Sequence, residues 1–495
     1  MASTITKTTA SLEAKSYETF RGLDSSKDIT VLETGKKQAL ATLENAYCDW
    51  RGQITRDRAA TRMYSNAGPI KHVNFYKAEG IAWAEYHDAG VSLNSDNGHT
   101  LTDQYAAGTI ITSVVFNGRL NMLAKGYVPQ SYDGLTWQQN SSSSEPKPGF
   151  GTAIARRLVT AGYADDPTMI RVSRVDDENM MPADEDPAST DVLRAAEFTV
   201  RNIIGTADEI TGLGTFENTR LAVFTSDQTL IYTFDANLTL WAIDEKANVN
   251  VGTISHNTIQ RANRDLLFCS RDGVHAIRRS SENGTTIFSL PMSFSIDLLY
   301  HEFLLQTPDT SQITASYDAE SGQYNIFFPI TSTICKRLTA TFNPADQSVS
   351  WSSGNFLNAR CGAYLAGKYV FGAPGGPYEA RHHAQPTGVG ETPAAVIETP
   401  MLWHGDVDGP KQSKHLTIMA SGEGSLLVEA FNETGKQIDS FNLTIEQDDV
   451  FPSDLLKQQY KHRFEHRYRG VQLRFTTSGE GLLRISGFSI GIAKG

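Results

Sequence analysis

Two groups of residues have side chains that could do chemistry: clustered carboxylates and a pair of adjacent histidines. The carboxylates occupy 176–178 (Asp-Asp-Glu) and 184–186 (Asp-Glu-Asp), within one acidic stretch. A calcium loop is conceivable there, but the spacing does not match an EF-hand. His382 and His383 are neighbours in a Pro/Gly-rich stretch, and adjacent side chains point different ways. We expect exposed loops at both places, and we predict no catalytic, cofactor-binding or metal-binding residue.

Glycoside hydrolysis is another chemistry that carboxylates can carry out. It needs two carboxylates placed across a sugar ring, and no spacing in this chain singles out such a pair. Residues 131–137 (SYDGLTW) approximate the Asp-box of sialidase-type propellers but are one residue short. An Asp-box is a structural hairpin, so this segment predicts a blade turn or a coincidence. The sequence therefore predicts a protein that is not an enzyme.

A basic cluster near the C-terminus contrasts with the acidic chain. The cations are interleaved with aromatic residues, and Arg and Tyr are favoured in protein interfaces. Alternative readings are a solvated or internally paired face and, less favoured, a DNA contact. The candidate interface residues are Lys457, Tyr460, Lys461, Arg463, Phe464, Arg467, Tyr468 and Arg469.

The bulk composition limits the function classes. The 495 residues carry a net charge of −12, which argues against general nucleic-acid binding because phosphate neutralisation needs clustered Lys and Arg. The four cysteines form no C-x-x-C pair, so we expect free buried thiols. The start resembles no signal peptide, and no apolar stretch is long enough for a membrane helix. We expect assembly in a reducing cytoplasm.

The elements that would position these residues are short strands. Apolar runs broken by Gly, Asp, Asn or Ser recur at intervals of roughly 38 to 61 residues, with hairpin dipeptides at 117–118 (Asn-Gly), 272–273 (Asp-Gly) and 321–322 (Ser-Gly). Such repeats are typical of propeller blades, although one or two β-sandwiches remain an alternative. The units open near His72, Ile110, Ile154, Glu209, Gly252, Ile313 and Gly362.

The fold class predicted is all-β: a β-propeller of six or seven blades plus a C-terminal β-rich, sandwich-like domain. Residues 1–69 are an N-terminal segment expected to dock on the C-terminal domain or on a neighbouring subunit. The propeller is placed at 70–375, with insertions near 176–191 and 290–310 as loops. A Pro/Gly-rich linker at 376–400 precedes an oligomerisation or platform domain at 401–495, whose best helix candidate is 451–470, with a β segment as the alternative.

Several segments resemble a known family. They read ARRLVTAG and TMIRVSR within 155–174, EITGLGTFENTRLAVFTSDQTLIYTF at 209–234, and SHNTIQRANRDLLFCSRDGVHAI at 255–277, with a hairpin at 267–274. The closing strands are HRYRGVQLRFTTSGEGLLRISGFSIGI at 466–492. Together they resemble the tail hub, or nozzle, proteins of short-tailed bacteriophages (podoviruses), also described as packaged-DNA stabilisation or head-completion proteins.

The resemblance implies a structural virion tail protein that forms a homohexameric ring. Such a ring lies below the portal and tail adaptor, carries tail fibres or spikes, and continues the channel for DNA ejection. Genomic DNA would pass without sequence-specific binding, which suits an acidic wall. The alternative function is a propeller tail component that binds or hydrolyses carbohydrate, which predicts a carboxylate-lined pocket on the propeller axis.

Overall fold

The structure is a computed structural model that describes most of the chain. The described residues are 12–30, 32, 38–65, 68–77, 80–139, 147–177, 181–186, 189–205, 208–216, 219–235, 237, 240–244, 249–262, 264–279, 286–344, 348–380, 391–404, 407–446, 458–479 and 483–493. The chain divides into two compact units. The terminal unit comprises Met1–Ala60, Thr339–Phe356 and Arg381–Gly495, and the propeller unit comprises Thr61–Leu338 and Leu357–Ala380.

Strands dominate the described residues. The first strands are β1 (Leu12–Tyr17), β2 (Phe20–Leu23), β3 (Gln38–Leu40), β4 (Thr42–Glu44), β5 (Ala46–Cys48), β6 (Ile54–Arg56), β7 (Ala60–Arg62), β8 (Ile70–Lys77), β9 (Gly80–His87), β10 (Gly90–Ser95), β11 (Thr100–Tyr105), β12 (Thr112–Phe116), β13 (Arg119–Leu123), β14 (Gln130–Tyr132), β15 (Trp137–Gln139), β16 (Phe150–Ile154), β17 (Arg157–Ala161), β18 (Met169–Val172), β19 (Ala196–Thr199), β20 (Ile210–Phe216) and β21 (Arg220–Thr225). The remainder are β22 (Thr229–Thr233), β23 (Ala242–Ile243), β24 (Gln260–Ala262), β25 (Asp265–Ser270), β26 (Gly273–Arg279), β27 (Thr286–Phe288), β28 (Thr314–Asp318), β29 (Gln323–Pro329), β30 (Cys335–Phe342), β31 (Val349–Gly354), β32 (Cys361–Leu365), β33 (Lys368–Ala373), β34 (Gly376–Ala380), β35 (Val396–Glu398), β36 (Lys411–Gly422), β37 (Gly424–Asn432), β38 (Gln437–Ile445), β39 (Gln458–Arg463), β40 (Arg467–Tyr468), β41 (Val471–Ser478) and β42 (Leu483–Ala493). The α-helices are α1 (Arg201–Ile204) and α2 (Asp297–Gln306).

The propeller unit confirms the predicted all-β propeller. Its six separate four-stranded sheets are β8–β11, β12–β15, β16–β19, β20–β23, β24–β27, and β32–β34 with β7. The first strand of each lies innermost, and β28 takes a seventh innermost place between β24 and β32. Strand β29 and the start of β30 extend outward from β28. Six of these innermost strands begin within about four residues of the repeat openings predicted from the sequence, whereas β24 begins at Gln260, later than the opening predicted near Gly252.

The last blade is closed by a strand from the other end of the propeller sequence. Strand β7 adds to the outer edge of β34, and the Met63 amide donates to the Pro377 carbonyl at 2.9 Å. The propeller therefore extends beyond the predicted limits of 70–375 at both ends. Residues 376–380 form β34 rather than a linker, because Gly376–Ala380 pairs in register with β33.

Blade hairpins form where the dipeptides predict them. Asn117 (φ 50°) and Gly118 (φ 72°) join β12 to β13 in the left-handed conformation that a two-residue turn requires. The turns at 272–273 and 321–322 likewise join β25 to β26 and β28 to β29. Ala155 (φ 49°) and Arg156 (φ 61°) make an equivalent turn without Asn or Gly, which the sequence did not reveal.

The Asp-box-like segment is a hairpin between β14 and β15. The Asp133 carboxylate accepts from the Leu135 and Thr136 amides, both at 2.8 Å, and these bonds lower the pKa of Asp133. The Trp137 indole packs against Tyr132 in the blade core and donates to the His99 carbonyl at 3.3 Å. The segment is a single blade turn, one of the two readings taken from the sequence.

The acidic insertion between β18 and β19 is organised by arginines. Arg174 binds the carboxylates of Glu185 at 3.1 Å and Asp191 at 2.6 Å. Arg157, which is fully buried, donates to the carbonyls of Ser173 at 2.7 Å and Arg194 at 2.6 Å. Burial lowers the pKa of Arg157 to about 10. The described part of the insertion is thus held by ion pairs and a buried guanidinium; residues 178–180 and 187–188 lie outside the described residues.

The insertion predicted as a loop at 290–310 contains helix α2. The helix buries Tyr300 and Phe303, whose rings pack edge-on against Phe328. The Tyr300 hydroxyl donates to the Ser270 carbonyl at 2.6 Å. The segment is helical because its apolar residues recur three and four positions apart.

The described part of the terminal unit contains two large β-sheets and a short parallel pair formed by β2 and β3. One sheet has the order β39-β36-β42-β6-β5, with β1 also pairing with β42 and β40 with β36. The other includes β31-β4-β35-β41-β37-β38, and the Phe475 and Phe488 rings meet between the sheets at 5.8 Å. Strand β1 pairs with β42 along its whole length, so the described N-terminal residues belong to the same unit as the C-terminal strands. Residues 396–398, predicted as linker, form β35 because they pair with β4 and β41.

The helix expected at 451–470 is not formed over its described part. Residues 458–463 form strand β39, in which exposed and partly buried positions alternate. Hydrogen bonding to β36 and an apolar core on one side impose a period of two. Residues 451–457 lie outside the described residues.

Candidate functional site

The innermost strands of the propeller unit enclose a cavity of about 350 Å³ on its axis. That volume is typical of a small-molecule site. The described lining includes hydroxyl, amide, imidazole and guanidinium groups and contains no Asp or Glu. The polar or aromatic lining residues are His72, Asn74, Ser113, Thr152, Thr215, His256, Asn257, Gln260, Arg261, Thr314, Ser316, Tyr317 and Tyr364.

Close packing of the blades shapes this wall. Gly214 of β20 lies where a Cβ atom would come within 2.7 Å of Leu266 and 2.8 Å of Ile259. Any larger residue would push the strand away from the next blade. The glycine therefore lets β20 approach β24 and keeps the cavity narrow.

A hydrogen-bonded group joins the first two innermost strands. The Ser113 hydroxyl lies 2.6 Å from His72 Nε2 and accepts from Asn74 Nδ2 at 2.8 Å. Burial lowers the pKa of His72 to about 4. His72 is therefore neutral at pH 7 and contributes hydrogen bonding, not charge, to the cavity.

His256 lies on another part of the same wall. Its Nδ1 accepts from the Leu213 amide at 3.2 Å, and its ring stacks on Phe150 at 4.9 Å. Burial, with a smaller effect of His72, lowers the pKa of His256 to about 3. The accepted hydrogen bond places the proton of the neutral ring on Nε2.

Lys71 precedes His72 on β8 and is also perturbed. Burial, helped by Arg360, lowers the pKa of its ammonium to about 8, and Asp309 opposes this shift. The ammonium lies 5.7 Å from the centre of the Tyr86 ring. A partly neutral lysine at neutral pH is uncommon, and such groups concentrate at functional sites.

The predicted interface residues form two sets in the terminal unit. Lys461, Arg463, Arg467 and Arg469 are exposed, and Lys457 lies outside the described residues. Arg463 also pairs with Glu465 at 2.8 Å, as expected for a solvated face. We call the four exposed cations the basic stripe.

The aromatic members of the predicted interface face inward. Phe464 is fully buried and Tyr468 is 3% exposed, so neither offers a surface contact; Tyr460 is half-buried. This corrects the sequence interpretation, which treated cations and aromatic residues as one surface. The physical reason is strand alternation, since neighbouring side chains point to opposite faces.

Two histidines on the inward side share a carboxylate. His462 Nε2 and His466 Nε2 each lie 3.2 Å from Asp439 Oδ2, and the His462 ring stacks on Phe441 at 3.7 Å. These contacts connect β39 and the following turn to β38. These contacts hold in place the backbone of β39 and of the following turn, which carry the basic stripe.

The remaining predictions about reactive groups concern thiols and metal ligands. All four cysteines are free and buried, as predicted, and burial raises the pKa of Cys48, Cys269 and Cys335 to about 12. Among the residues that the structure describes, no group of three or more His, Cys, Asp or Glu side chains could hold a metal ion. His382 and His383 lie outside those residues.

The carbohydrate alternative predicts a carboxylate-lined pocket on the propeller axis; a cavity is present there, but its described lining has no Asp or Glu, and the sequence did not indicate which residues line it. A signal was present, because His72 opens one repeat and His256 lies just inside another. Alternation on these strands directs every second side chain to the axis. Without the blade order, nothing in the sequence indicates that the two histidines share a wall.

Within the described parts of the chain, no helix is both long and apolar enough to cross a membrane. No protein-family model matches the sequence, and no curated protein matches it.

Solved structures with similar folds include a streptogramin B lyase, at 10% identity and a TM-score of 0.38, covering 65% of this chain and 97% of the lyase. BamB from Moraxella catarrhalis is 10% identical with a TM-score of 0.36, covering 66% of this chain and 99% of BamB. An ancestral GH74 enzyme is 9% identical with a TM-score of 0.36, covering 70% of this chain and 51% of that enzyme. These are propeller proteins of different activities, and at such scores they carry no argument about function.

Proposed function

We propose that this chain is a structural tail-hub subunit of a short-tailed bacteriophage, which assembles into a homohexameric ring. The observation that carries the proposal is the basic stripe of the terminal unit. Lys461, Arg463, Arg467 and Arg469, with Glu465 among them, give one strand and its extension a mainly cationic surface in a chain of net charge −12. A cationic surface on an acidic chain suits head-to-tail contact between copies, the kind of contact from which rings are built.

The segments that resemble tail-hub proteins lie on defined elements. The hairpin at 267–274 joins β25 to β26 in the propeller unit, and 466–492 supplies β40 to β42 of the terminal unit. The resemblance thus covers both units. This supports a role in which a propeller and a β-rich assembly unit work as one subunit.

The proposal places the DNA conduit between subunits. A cavity of about 350 Å³ on the propeller axis has the size of a small-molecule site and does not accommodate a duplex. DNA would therefore pass through the opening of the ring. An acidic chain would line that opening without gripping the phosphates.

The test is the oligomeric state of the full-length protein. Light scattering on a sizing column should give a multiple of the 54.3 kDa subunit mass, and electron microscopy should show closed rings. Antibodies against the protein should label the tails of virions from the phage that encodes it. A monomer at all concentrations, with no labelled virions, would reject the proposal.

A second candidate, carbohydrate binding, is favoured by the wall of the axial cavity. Tyr317 and Tyr364 offer partly exposed rings, and Asn74, Thr152 and Thr215 offer amide and hydroxyl groups. Aromatic faces with neutral hydrogen-bonding groups suit a sugar. Hydrolysis would need two carboxylates, which the described lining lacks, so we propose binding alone.

Calorimetry with host surface polysaccharides tests this second candidate. Tyr364→Ala should weaken a detected affinity by about tenfold, corresponding to one good contact. Tyr460→Ala in the terminal unit is the matched control and should leave the affinity unchanged. Lack of binding to every host polysaccharide, or equal affinity in the Tyr364 variant, would reject a saccharide site on the propeller axis.

A further inference from the structure

The insertion between β27 and β28 exposes an unusual amount of apolar surface. Leu290 is 87% exposed, Phe294 76%, Leu298 64% and Leu305 87%. Single exposed apolar residues are ordinary, whereas a contiguous group marks an interaction surface. We call these four residues the apolar patch.

Two residues of the apolar patch, Leu298 and Leu305, lie on the well-anchored helix α2; Phe294 lies in the single turn just before it, and Leu290 precedes that turn in the chain. Tyr300 and Phe303 hold the opposite side of α2 against the propeller unit, and Ile296 just before the helix is also buried. At about 100° per residue, Phe294, Leu298 and Leu305 fall on one side. The exposed side is therefore fixed in orientation, and its exposure does not come from a poorly packed helix.

Carboxylates border the apolar patch. By the same helical spacing, Asp297 and Glu302 flank the stripe on opposite sides, and Asp309 follows the helix. His301 Nδ1 lies 3.2 Å from Asp297 Oδ1. One flank of the stripe therefore carries this His–Asp pair, and the other flank carries Glu302. The surface has an apolar centre and an acidic rim, so a complementary partner needs cations with apolar stems.

We propose that the apolar patch and its acidic rim bind the basic stripe of a second copy of this chain. This inference rests on the proposed function, because it names the contact that closes the ring. Arg and Lys stems cover apolar surface while their charged ends reach outward. Lys461 and Arg463 are separated by about 6.7 Å along their strand, and Asp297 and Glu302 by about 7.5 Å along their helix.

The contact is heterologous because the two surfaces differ. A symmetrical contact between two copies of α2 would bring Asp297 and Glu302 of each copy together, and their like charges would repel. When the apolar patch of one copy binds the basic stripe of the next, the stripe of the first copy and the patch of the second stay free to bind further copies. Repeating that contact adds copies head to tail, which produces a closed ring when the rotation between neighbouring copies closes, as the proposed function requires.

The experiment reverses the charges on each side separately. Asp297→Lys/Glu302→Lys and Lys461→Glu/Arg463→Glu should each raise the protein concentration needed for assembly about tenfold or more, measured by sedimentation velocity. The chain carrying all four substitutions should assemble like the unaltered protein. An equimolar mixture of the two reversed variants should also assemble, because each supplies what the other needs.

Matched variants separate a specific contact from general effects. Lys27→Glu/Lys436→Glu changes two exposed lysines of the same unit and should leave assembly unchanged. Leu298→Ser/Leu305→Ser should impair assembly, while Leu135→Ser/Leu240→Ser removes apolar residues that are 72% and 57% exposed elsewhere and should not. Thermal unfolding should be the same for all surface variants.

The outcomes distinguish the two proposals. If the unaltered protein stays monomeric, the ring itself is rejected, and this contact with it. If the unaltered protein forms rings and the charge-reversed variants do so equally well, the contact is rejected while the ring stands. If both reversals impair assembly but neither the mixture nor the fourfold variant restores it, the two surfaces do not pair with each other, and the inference is overturned.

Discussion

Strand β17 of the propeller unit and strand β39 of the terminal unit both carry arginine, yet the side chains have opposite roles. Every residue of β17 is buried, and Arg157 ends among backbone carbonyls. Strand β39 has exposed positions at every second residue, and the Arg463 side chain is 81% exposed. The difference arises because a blade is covered on both faces by neighbouring blades, whereas β39 is an edge strand with one covered face. An arginine in a predicted strand therefore cannot be assigned to the protein surface until the position of that strand in its sheet is known.

The strongest test of this contrast is the loss of each arginine. Arg157→Ala should lower the free energy of unfolding by about 3–5 kcal/mol, because several buried carbonyls lose their donor. Arg463→Ala should leave the free energy of unfolding essentially unchanged, because the pair with Glu465 is exposed and screened by solvent. Urea unfolding followed by circular dichroism measures both, and equal effects would contradict the assignment of Arg157 to the core.

A second test compares the buried and the exposed side of β39 and the turn that follows it. Phe464→Ala should lower the free energy of unfolding by about 3–5 kcal/mol, because it removes a fully buried ring. Lys461→Ala is the control and should leave stability within about 0.5 kcal/mol. Tolerance of alanine at Phe464 would show that the alternation of β39 is wrong.

The axial histidines make the propeller unit sensitive to acid. Both have lowered pKa values in the folded state, to about 4 for His72 and about 3 for His256, against 6.5 in the unfolded chain. Below pH 6.5 the unfolded chain binds protons that the folded protein does not. Stability should therefore fall as the pH drops from 6.5 towards 4, by on the order of 3 kcal/mol per histidine.

Thermal unfolding at several pH values measures this loss. His72→Gln should make the dependence between pH 6.5 and 4 shallower, because one proton-binding group is removed from the unfolded state. An identical slope in the His72 variant would contradict a buried neutral imidazole at that position.

The smallest expected effect concerns a blade turn. Ala155 has a φ of 49°, a conformation that glycine adopts without the strain of a Cβ atom. Ala155→Gly should raise the free energy of unfolding by about 0.5–1 kcal/mol. Gly118→Ala, at a similar turn with φ 72°, should lower it by a comparable amount. The same sign for both substitutions would contradict this account of the turns.

Much of the propeller could be predicted because its signals are local. Hairpin dipeptides such as Asn117-Gly118 and the recurring apolar runs depend only on neighbouring residues. The closing strand β7 could not be found this way, because its partner β34 lies more than 300 residues away. The sequence predicts a loop where α2 forms, because apolar residues lie on the exposed side of the helix (Leu298, Leu305) as well as on its buried side and obscure the amphipathic pattern.

The candidate sites show the same limit. The sequence indicates the basic stripe because its residues lie within nine positions of one another, but it does not separate them from the buried aromatic residues between them unless the period of two is known. His72 and His256 share a cavity only because the ring of blades brings distant repeats together. Sites assembled from several blades require the fold before they can be recognised.

The closure of the last blade by β7 has a consequence for synthesis. Ala60–Arg62 leaves the ribosome early, whereas Gly376–Ala380, to which it binds, is made more than 300 residues later. Until then no strand from the start of the propeller sequence pairs with the last blade, and the blades form an open series. Pairing of β7 with β34 closes the ring of blades in a single late step, between residues far apart in sequence. A chain whose synthesis stops before β34 leaves β7 without its partner. The propeller can therefore be completed only after the ribosome has synthesised Gly376–Ala380.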